Sequence, residues 1–263
     1  MCTAVKTAIL GGGLSGLTLA RILAGRGEDV LVLEAEEATG GLCRSRTGDG
    51  FCFDTGGSHI IFSRDSEVLG FMLSVLGENR AERKRNTKIF YKDRFVKYPF
   101  ENGLSELPRE DLYLCLSEYI KNLIAAEKGE LPLVVSFRDW IYTTFGAGIA
   151  ECYLMPYNRK IWNYPPEQMS AHWVEGRVPR PPVEDIIRSA IGIETEGYTH
   201  QAVFSYPLHG GIEALVRAIA EPVMGRVTCG FSASRIRKTP GGWEITDGTR
   251  TVRAGKLIST IPL

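Results

Sequence analysis

The sequence lacks the features that mark membrane-spanning or highly charged proteins. It contains no run of eighteen consecutive apolar residues, the length at which a transmembrane helix is predicted. Its 31 Lys and Arg residues balance its 31 Asp and Glu residues. No overall field therefore steers the protein toward nucleic acid or an anionic membrane, and neither is expected as a partner.

Cysteine is also scarce, and the spacing of the cysteines matches no common redox or zinc-binding motif. The six cysteines include no C-x-x-C pair and no histidine at zinc spacing, which predicts reduced thiols and no metal site. The first residues do not follow the charged-then-apolar pattern of a secretory leader. We therefore expect a cytoplasmic location.

Length and composition are those of an ordinary globular protein. The chain has 263 residues, of which 44% are hydrophobic and 24% charged, enough for a core without disulfides and for roughly two domains. Basic residues are dense between positions 80 and 97. This density is typical of the solvated face of a hairpin, with a phosphate-attracting rim as the alternative.

The N-terminal region follows the pattern of a parallel α/β sheet. An apolar run at 5–10 leads into a glycine-rich turn at 11–16, a helical pattern at 17–24 and a second buried-type strand at 29–34. Strand, turn, helix and strand in this order begin a doubly wound sheet. The pattern predicts an α/β fold with a Rossmann-like dinucleotide-binding domain.

The rest of the chain predicts an insertion and a return to the first domain. Alternating residues at 88–97 predict a hairpin, and a helix-capping box begins at Ser136. A small antiparallel element and a buried-type strand at 256–261 follow the helical block. We expect a strand so near the end to need further chain or a partner to cover it. The predicted domains are a first dinucleotide-binding segment (1–90), a mainly helical substrate insertion (91–203) and a second dinucleotide-binding segment (204–263).

The glycine turn has the context that a dinucleotide site requires. Gly11 permits the tight turn, Gly13 lets the backbone approach a pyrophosphate, and Gly16 allows the helix to pack on the strand. Glu34 ends the next strand, where a carboxylate can accept hydrogen bonds from ribose hydroxyls. The alternative is a glycine-rich turn with no ligand. The expected contacts are Gly11, Gly13, Leu14, Ser15, Gly16, Glu34 and Ala35.

A second glycine pair followed by an arginine points to a flavin. The segment at 40–45 resembles the second dinucleotide motif of the flavin amine oxidase superfamily, which includes protoporphyrinogen oxidase, phytoene desaturase and UDP-galactopyranose mutase. The segment at 53–59 is similar to the next motif of that superfamily, which runs along the isoalloxazine ring. The resemblance implies that FAD is the cofactor, and an arginine suits its phosphates. The contacts that it implies are Gly40, Gly41, Leu42, Arg44, Gly57, Ser58, His59 and Ala233.

The middle of the chain resembles the substrate-side motifs of UDP-galactopyranose mutases, more the eukaryotic-type branch than the bacterial one. The motifs lie at 97–100, 155–162 and 173–179. Aromatic rings can stack on a base, and an amide can both donate to and accept from its edge. Core aromatics beside prolines are the alternative. The implied substrate contacts are Tyr98, Phe100, Glu101, Tyr157, Asn158, Trp162 and Arg177.

The resemblance also implies a reaction. In these mutases the N5 of reduced FAD is the nucleophile that attacks the anomeric carbon of a nucleotide-sugar such as UDP-galactose, and pyranose and furanose forms interconvert. His59, beside the flavin, and Arg177, on the diphosphate, are the implied catalytic residues. Their alternatives are a neutral core histidine and an exposed structural arginine.

Two residues depart from the family pattern. Ser58 stands between the glycine pair and His59, where the family has none. Glu101 replaces the usual glutamine, and an ionised carboxylate can only accept hydrogen bonds. We therefore expect either a base other than uracil or a Glu101 side chain that points elsewhere.

Family members continue well beyond the strand at 256–261. The resemblance therefore implies that a missing C-terminal segment or a second chain completes the fold. Two other functions stay open. One is an FAD-dependent oxidoreductase of the amine oxidase or protoporphyrinogen oxidase type, and the other is a flavin-binding module without catalysis.

Overall fold

A computed structural model describes residues 2–57, 59–175, 177–178, 180–195 and 203–262. The chain divides into two units. The first unit joins Met1–Lys84 to Val203–Leu263, and the second is Arg85–Ala202. The sequence places the corresponding boundaries after residues 90 and 203. Ser58, one of the predicted flavin contacts, lies outside the described residues.

The described residues contain short strands and seven α-helices. The strands are β1 (Cys2–Leu10), β2 (Val30–Leu33), β3 (Ser45–Gly48), β4 (Phe51–Asp54), β5 (Ala81–Lys84), β6 (Lys88–Tyr91), β7 (Arg94–Lys97), β8 (Val203–Tyr206), β9 (Val227–Thr228), β10 (Arg235–Thr239), β11 (Gly242–Thr246) and β12 (Thr251–Ser259). The helices are α1 (Leu14–Gly25), α2 (Ser66–Leu76), α3 (Arg109–Glu127), α4 (Phe137–Ile149), α5 (Met155–Trp162), α6 (Val183–Ala190) and α7 (Glu213–Ala220).

The first unit is built on a six-stranded sheet in the order β10-β11-β12-β1-β2-β9. β1 is parallel to both β2 and β12, and β9 is parallel to β2. β10, β11 and β12 form an antiparallel arm. The predicted fold class, a parallel Rossmann-like sheet with a small antiparallel element, is confirmed.

The end of the sheet differs from the prediction in one respect. The small antiparallel element and the buried-type strand, predicted as separate, share the single strand β12. It pairs with β1 from Cys2↔Thr251 to Leu10↔Ser259 and with β11 on its other edge. β11 therefore pairs with this other edge of β12 only over residues 251–254. The covering of this strand by further chain or a partner stays a prediction.

Apolar faces of the sheet and helices form the core of the first unit. Ile9 and Val32 are fully buried in the sheet, and Leu17 of α1 is fully buried against α7 and its neighbours. Such continuous apolar strands are typical of a sheet covered on both faces. α1 packs against α7 and against β2.

The second unit is mainly helical and has its own core. α3 and α4 pack closely at Gly148, which has no side chain. A Cβ at this position would lie 2.6 Å from the Cα of Cys115, so only glycine permits the approach. The predicted capping box is confirmed: the Ser136 hydroxyl accepts from the Asp139 N–H, and the Asp139 carboxylate accepts from the Ser136 N–H. The predicted hairpin is the β6–β7 pair.

Candidate functional site

The glycine turn between β1 and α1 leads into an uncapped helix end. Gly11 has a φ of 99°, and its N–H donates to the carbonyl of Leu33 at 2.9 Å. α1 begins at Leu14 with Gly13 as its N-cap, and no side chain caps the helix. Its first N–H groups therefore carry a partial positive charge without a side-chain acceptor, an arrangement suited to a phosphate.

Glu34 contacts this turn directly. Its carboxylate accepts from the Gly12 N–H at 2.5 Å and from the Glu36 N–H at 2.9 Å. The side chain thus holds the turn against the end of β2. A carboxylate has about four lone-pair sites, so the predicted contact with ribose hydroxyls is compatible with this geometry and stays a prediction.

A second glycine pair lies against the first turn. The Gly40 N–H donates to the Gly12 carbonyl at 2.8 Å, and Gly13 and Gly40 form a bridge. A Cβ on Gly41 would lie 3.3 Å from the Cα of Gly13. The two predicted phosphate-binding segments, separate in sequence, are therefore adjacent in the structure.

Arg44 has a donor available beside these glycines. Its Nη2 donates to the Ala38 carbonyl at 2.8 Å, whereas its Nε is buried without a hydrogen-bond partner among the described residues. A buried unpaired donor is costly unless a ligand satisfies it. Together with the uncapped helix end, this donor makes the site fit a bound dinucleotide.

Several of the remaining predicted flavin contacts are exposed. Ala35 and Ser15 are exposed, and Leu42 is 74% exposed. Ala233 is half-buried and follows a segment hydrogen-bonded to 34–36 through the N–H groups of Gly230 and Phe231. Their contact with a flavin stays a prediction.

Asp54 is a hydrogen-bonding centre that the sequence does not reveal. Its carboxylate accepts from the Tyr206 hydroxyl and the Ser45 hydroxyl, each at 2.7 Å, and from the Ile212 N–H at 3.0 Å. The backbone N–H of His59 is a further donor. Burial by itself would raise the pKa of Asp54, but these hydrogen bonds outweigh burial and hold it below the usual value.

We expect Asp54→Asn to destabilise the first unit by about 1.5–3 kcal/mol, the typical value of a hydrogen bond to a charged group. Because the folded-state pKa of Asp54 is lowered, its contribution is present above the unfolded-state pKa of about 4 and is lost as pH falls through the folded value. Urea unfolding between pH 7 and pH 3 should show a flatter pH dependence in the variant. Asp49→Asn, at an exposed turn with a φ of 51° that asparagine accepts, is the control. Equal slopes in wild type and Asp54→Asn would contradict the assignment.

His59 comes shortly after Asp54 in the sequence. Its side chain is half-buried, and its Nδ1 is buried without a hydrogen-bond partner among the described residues. An unpaired ring nitrogen is available to a ligand, so the predicted flavin contact is chemically possible. The residue before it, Ser58, is outside the described residues, and its effect on His59 stays a prediction.

The second unit contains an aromatic cavity of about 210 Å³. Five of the seven predicted substrate residues line it together. Desolvation raises the pKa of Tyr98 and of Tyr153, so both phenols are protonated donors near neutral pH. The five predicted residues are Tyr98, Glu101, Tyr157, Asn158 and Trp162, joined by Phe137, Trp140, Tyr153 and Trp173 among others.

Two predicted substrate residues do not line this cavity. Phe100 is fully buried behind it, and its ring stacks on Tyr153 with centroids 4.8 Å apart. The prediction that Phe100 stacks directly on a ligand is therefore corrected. No face of its ring reaches the cavity, and the ring instead packs behind Tyr153, which lines it. Arg177 is exposed on the turn after Val174, and its diphosphate contact stays a prediction.

Asn158 is used within the protein. Its Nδ2 donates to the Leu154 carbonyl at 2.8 Å, and its Oδ1 accepts from the Trp162 indole at 3.1 Å. The amide therefore orients Trp162 one helical turn away. The predicted reading of a base edge by Asn158 would have to use its remaining N–H and lone pair.

The comparison with known families assigns this architecture. Residues 14–263 match the family described as flavin containing amine oxidoreductase. The chain belongs to that family. Membership supports the predicted FAD, and the adjacent glycine turns with the Arg44 Nε are the region of this chain that fits its phosphates.

Solved structures in this superfamily have the same fold. A structure of reduced UDP-galactopyranose mutase is 31% identical and superposes with a TM-score of 0.86, covering 98% of this chain and 56% of the mutase. Wild-type putrescine oxidase bound to putrescine is 20% identical with a TM-score of 0.64, covering 100% of this chain and 59% of the oxidase.

Curated relatives match over shorter stretches. All-trans-retinol 13,14-reductase of Rattus norvegicus is 32% identical over 115 residues, which are 44% of this chain and 18% of the reductase. The chain therefore matches a small fraction of that relative and spans somewhat more than half of the solved oxidase and mutase.

Membrane spans and metal clusters are absent from the described residues. None of the helices in the described ranges is both long and apolar enough to cross a membrane. Within the same ranges, no three His, Cys, Asp or Glu side chains are grouped so that they could hold a metal ion.

Proposed function

We propose that this chain takes part in the flavin-dependent interconversion of pyranose and furanose forms of a nucleotide-sugar. The observation that carries the proposal is the aromatic cavity in the second unit, which gathers five of the predicted substrate residues. The likeness to UDP-galactopyranose mutase, at 31% identity and a TM-score of 0.86, supports it.

The first unit would hold the cofactor. The N–H groups at the start of α1 and the unpaired Nε of Arg44 would bind the FAD diphosphate. Glu34 would accept hydrogen bonds from the ribose while it keeps the glycine turn in place. Reduced FAD, when bound, supplies the nucleophile for the anomeric carbon.

The second unit would hold the nucleotide. Tyr98, Tyr157 and Trp162 offer aromatic faces along one cavity, which suits a planar base. Arg177 would neutralise the diphosphate, which is the leaving group when the anomeric carbon is attacked and must be retained for its return. His59 would contact the flavin in the first unit.

A second function has its own supporting observation. The family as a whole is described as flavin containing amine oxidoreductase, and a protonated amine would suit an aromatic cavity that contains a carboxylate. An oxidoreductase of the amine oxidase or protoporphyrinogen oxidase type is therefore the alternative.

One experiment separates the candidates. The purified chain is loaded with FAD, reduced with dithionite under anaerobic conditions and incubated with UDP-galactopyranose and with GDP-sugars, and the products are separated by chromatography. We expect a furanose product only with reduced flavin. Flavin bleaching by amines without dithionite, followed by peroxide formation in air, would support the oxidoreductase instead. Bound FAD with no reaction in either assay would favour a flavin-binding module.

A further inference from the structure

A buried acid lies in the wall of the aromatic cavity. Glu101 is 3% exposed and belongs to the short turn Phe100–Asn102 that follows β7. It lines the cavity together with Tyr98 and Tyr153. Carboxylates are rarely buried to this extent unless they have a partner or a function.

The charge of Glu101 acts on the phenols around it. After desolvation and the charge of Tyr157, the Glu101 carboxylate contributes to the raised pKa of Tyr98, whereas the Arg85 guanidinium opposes the rise. The Glu101 carboxylate also contributes to the raised pKa of Tyr153, after burial and the two neighbouring tyrosines. The carboxylate is therefore close enough to the cavity for its charge to be felt by a ligand there.

Of two other polar side chains that line the cavity, one is engaged within the protein and one is not. Both functions of the Asn158 amide are engaged, one with the Leu154 carbonyl and one with the Trp162 indole. The indole N–H of Trp173, which also lines the cavity, is buried without a partner among the described residues. The cavity thus offers a carboxylate acceptor and, besides the phenols of Tyr98 and Tyr153, an indole donor.

The edges of the four bases differ in how they meet a carboxylate. An ionised carboxylate presents two acceptor oxygens and no donor. Guanine presents two adjacent donors, N1–H and N2–H, and can make a bidentate pair with it. Uracil presents one N–H between two carbonyl oxygens, which the carboxylate would repel. Cytosine and adenine each present one exocyclic amine next to an acceptor nitrogen, so each is intermediate.

We propose that Glu101 makes this cavity selective for guanine, so that the nucleotide-sugar is a GDP-sugar. The inference rests on the proposed function, because it takes the cavity as the nucleotide site. A carboxylate has about four lone-pair sites, so it can accept from a base in addition to the contacts that it makes within the protein. A single good bidentate pair discriminates between bases by about ten- to a hundredfold in affinity.

Binding of the four nucleoside diphosphates tests the inference without turnover. GDP, UDP, CDP and ADP are titrated into the FAD-loaded chain, and isothermal titration calorimetry gives each Kd. We expect wild type to bind GDP at least about tenfold more tightly than UDP. Glu101→Gln should weaken GDP and strengthen UDP, because an amide both donates and accepts. Glu110→Gln, which removes the same charge from an exposed position at the start of α3, should keep the wild-type order.

The outcomes separate this inference from the proposed function. Tighter binding of UDP than of GDP by wild type would overturn guanine selectivity and leave the nucleotide-sugar proposal standing. The same conclusion follows if folded Glu101→Gln, checked by circular dichroism, keeps the wild-type order. No binding of any nucleoside diphosphate, with Glu101-dependent binding of putrescine instead, would overturn both. The wild-type ranking decides the question even if Glu101→Gln fails to fold.

Discussion

Gly13→Ala is expected to weaken FAD binding by about ten- to a hundredfold while the first unit stays folded. Gly13 has an extended backbone that alanine adopts without strain, with φ −79° and ψ −177°. The nearest atom to an added Cβ would be the Cα of Gly41 at 3.9 Å, an ordinary contact. The methyl group fits the protein but occupies the approach to the helix end where a pyrophosphate would lie. Overpacking a tight site costs about 1–3 kcal/mol, which gives the expected loss.

The measurement is FAD affinity from flavin fluorescence, with thermal unfolding of the flavin-free protein beside it. Gly25→Ala is the matched control because it lies at the other end of α1, where nothing lies within 4 Å of an added Cβ. Wild-type FAD affinity in Gly13→Ala would show that this turn does not approach the phosphates.

Gly16→Ala is expected to destabilise the first unit by more than about 4 kcal/mol, a size reserved for severe core disruption. An added Cβ would lie 1.9 Å from the Gly11 carbonyl oxygen and 3.0 Å from the Thr260 hydroxyl. The turn has little room to move, because the Gly11 N–H donates to the Leu33 carbonyl and Thr260 donates to the Leu10 carbonyl. α1 would have to leave β1.

Urea unfolding tests this prediction, and the tryptophans assign the transition. Trp243 belongs to the first unit, whereas Trp140, Trp162 and Trp173 belong to the second. Fluorine NMR of fluorotryptophan-labelled protein resolves the four signals. We expect the Trp243 signal to change at lower urea in Gly16→Ala and the other three to keep their transition. Gly25→Ala should be neutral or stabilising by about 0.5–1 kcal/mol. An unchanged urea midpoint for the Trp243 signal would mean that the turn can open to admit the methyl group without loss of stability.

Local patterns in the sequence were sufficient for much of the fold and for the cofactor. The glycine turn between two apolar runs predicts β1, α1 and β2, and the capping box at Ser136 predicts the start of α4. These features depend on neighbours a few residues apart, where periodicity and backbone requirements act directly. The flavin family followed from the same local motifs.

Contacts between distant segments follow no local pattern. Asp54 accepts from Tyr206 and Ile212, which lie 152 and 158 residues away in sequence, so the sequence near Asp54 does not indicate this centre. The burial of Phe100 behind Tyr153 likewise depends on how the segment after α4 packs beside the turn after β7.

The order of residues along the chain was therefore enough to assign the class of this protein: an α/β flavin-binding fold with an aromatic-rich insertion. Packing determined which aromatic rings line the cavity, which one supports it from behind, and which carboxylate is buried in its wall. The physical reason is that a motif specifies the chemistry of its residues, whereas burial and partners depend on segments that only the folded chain brings together.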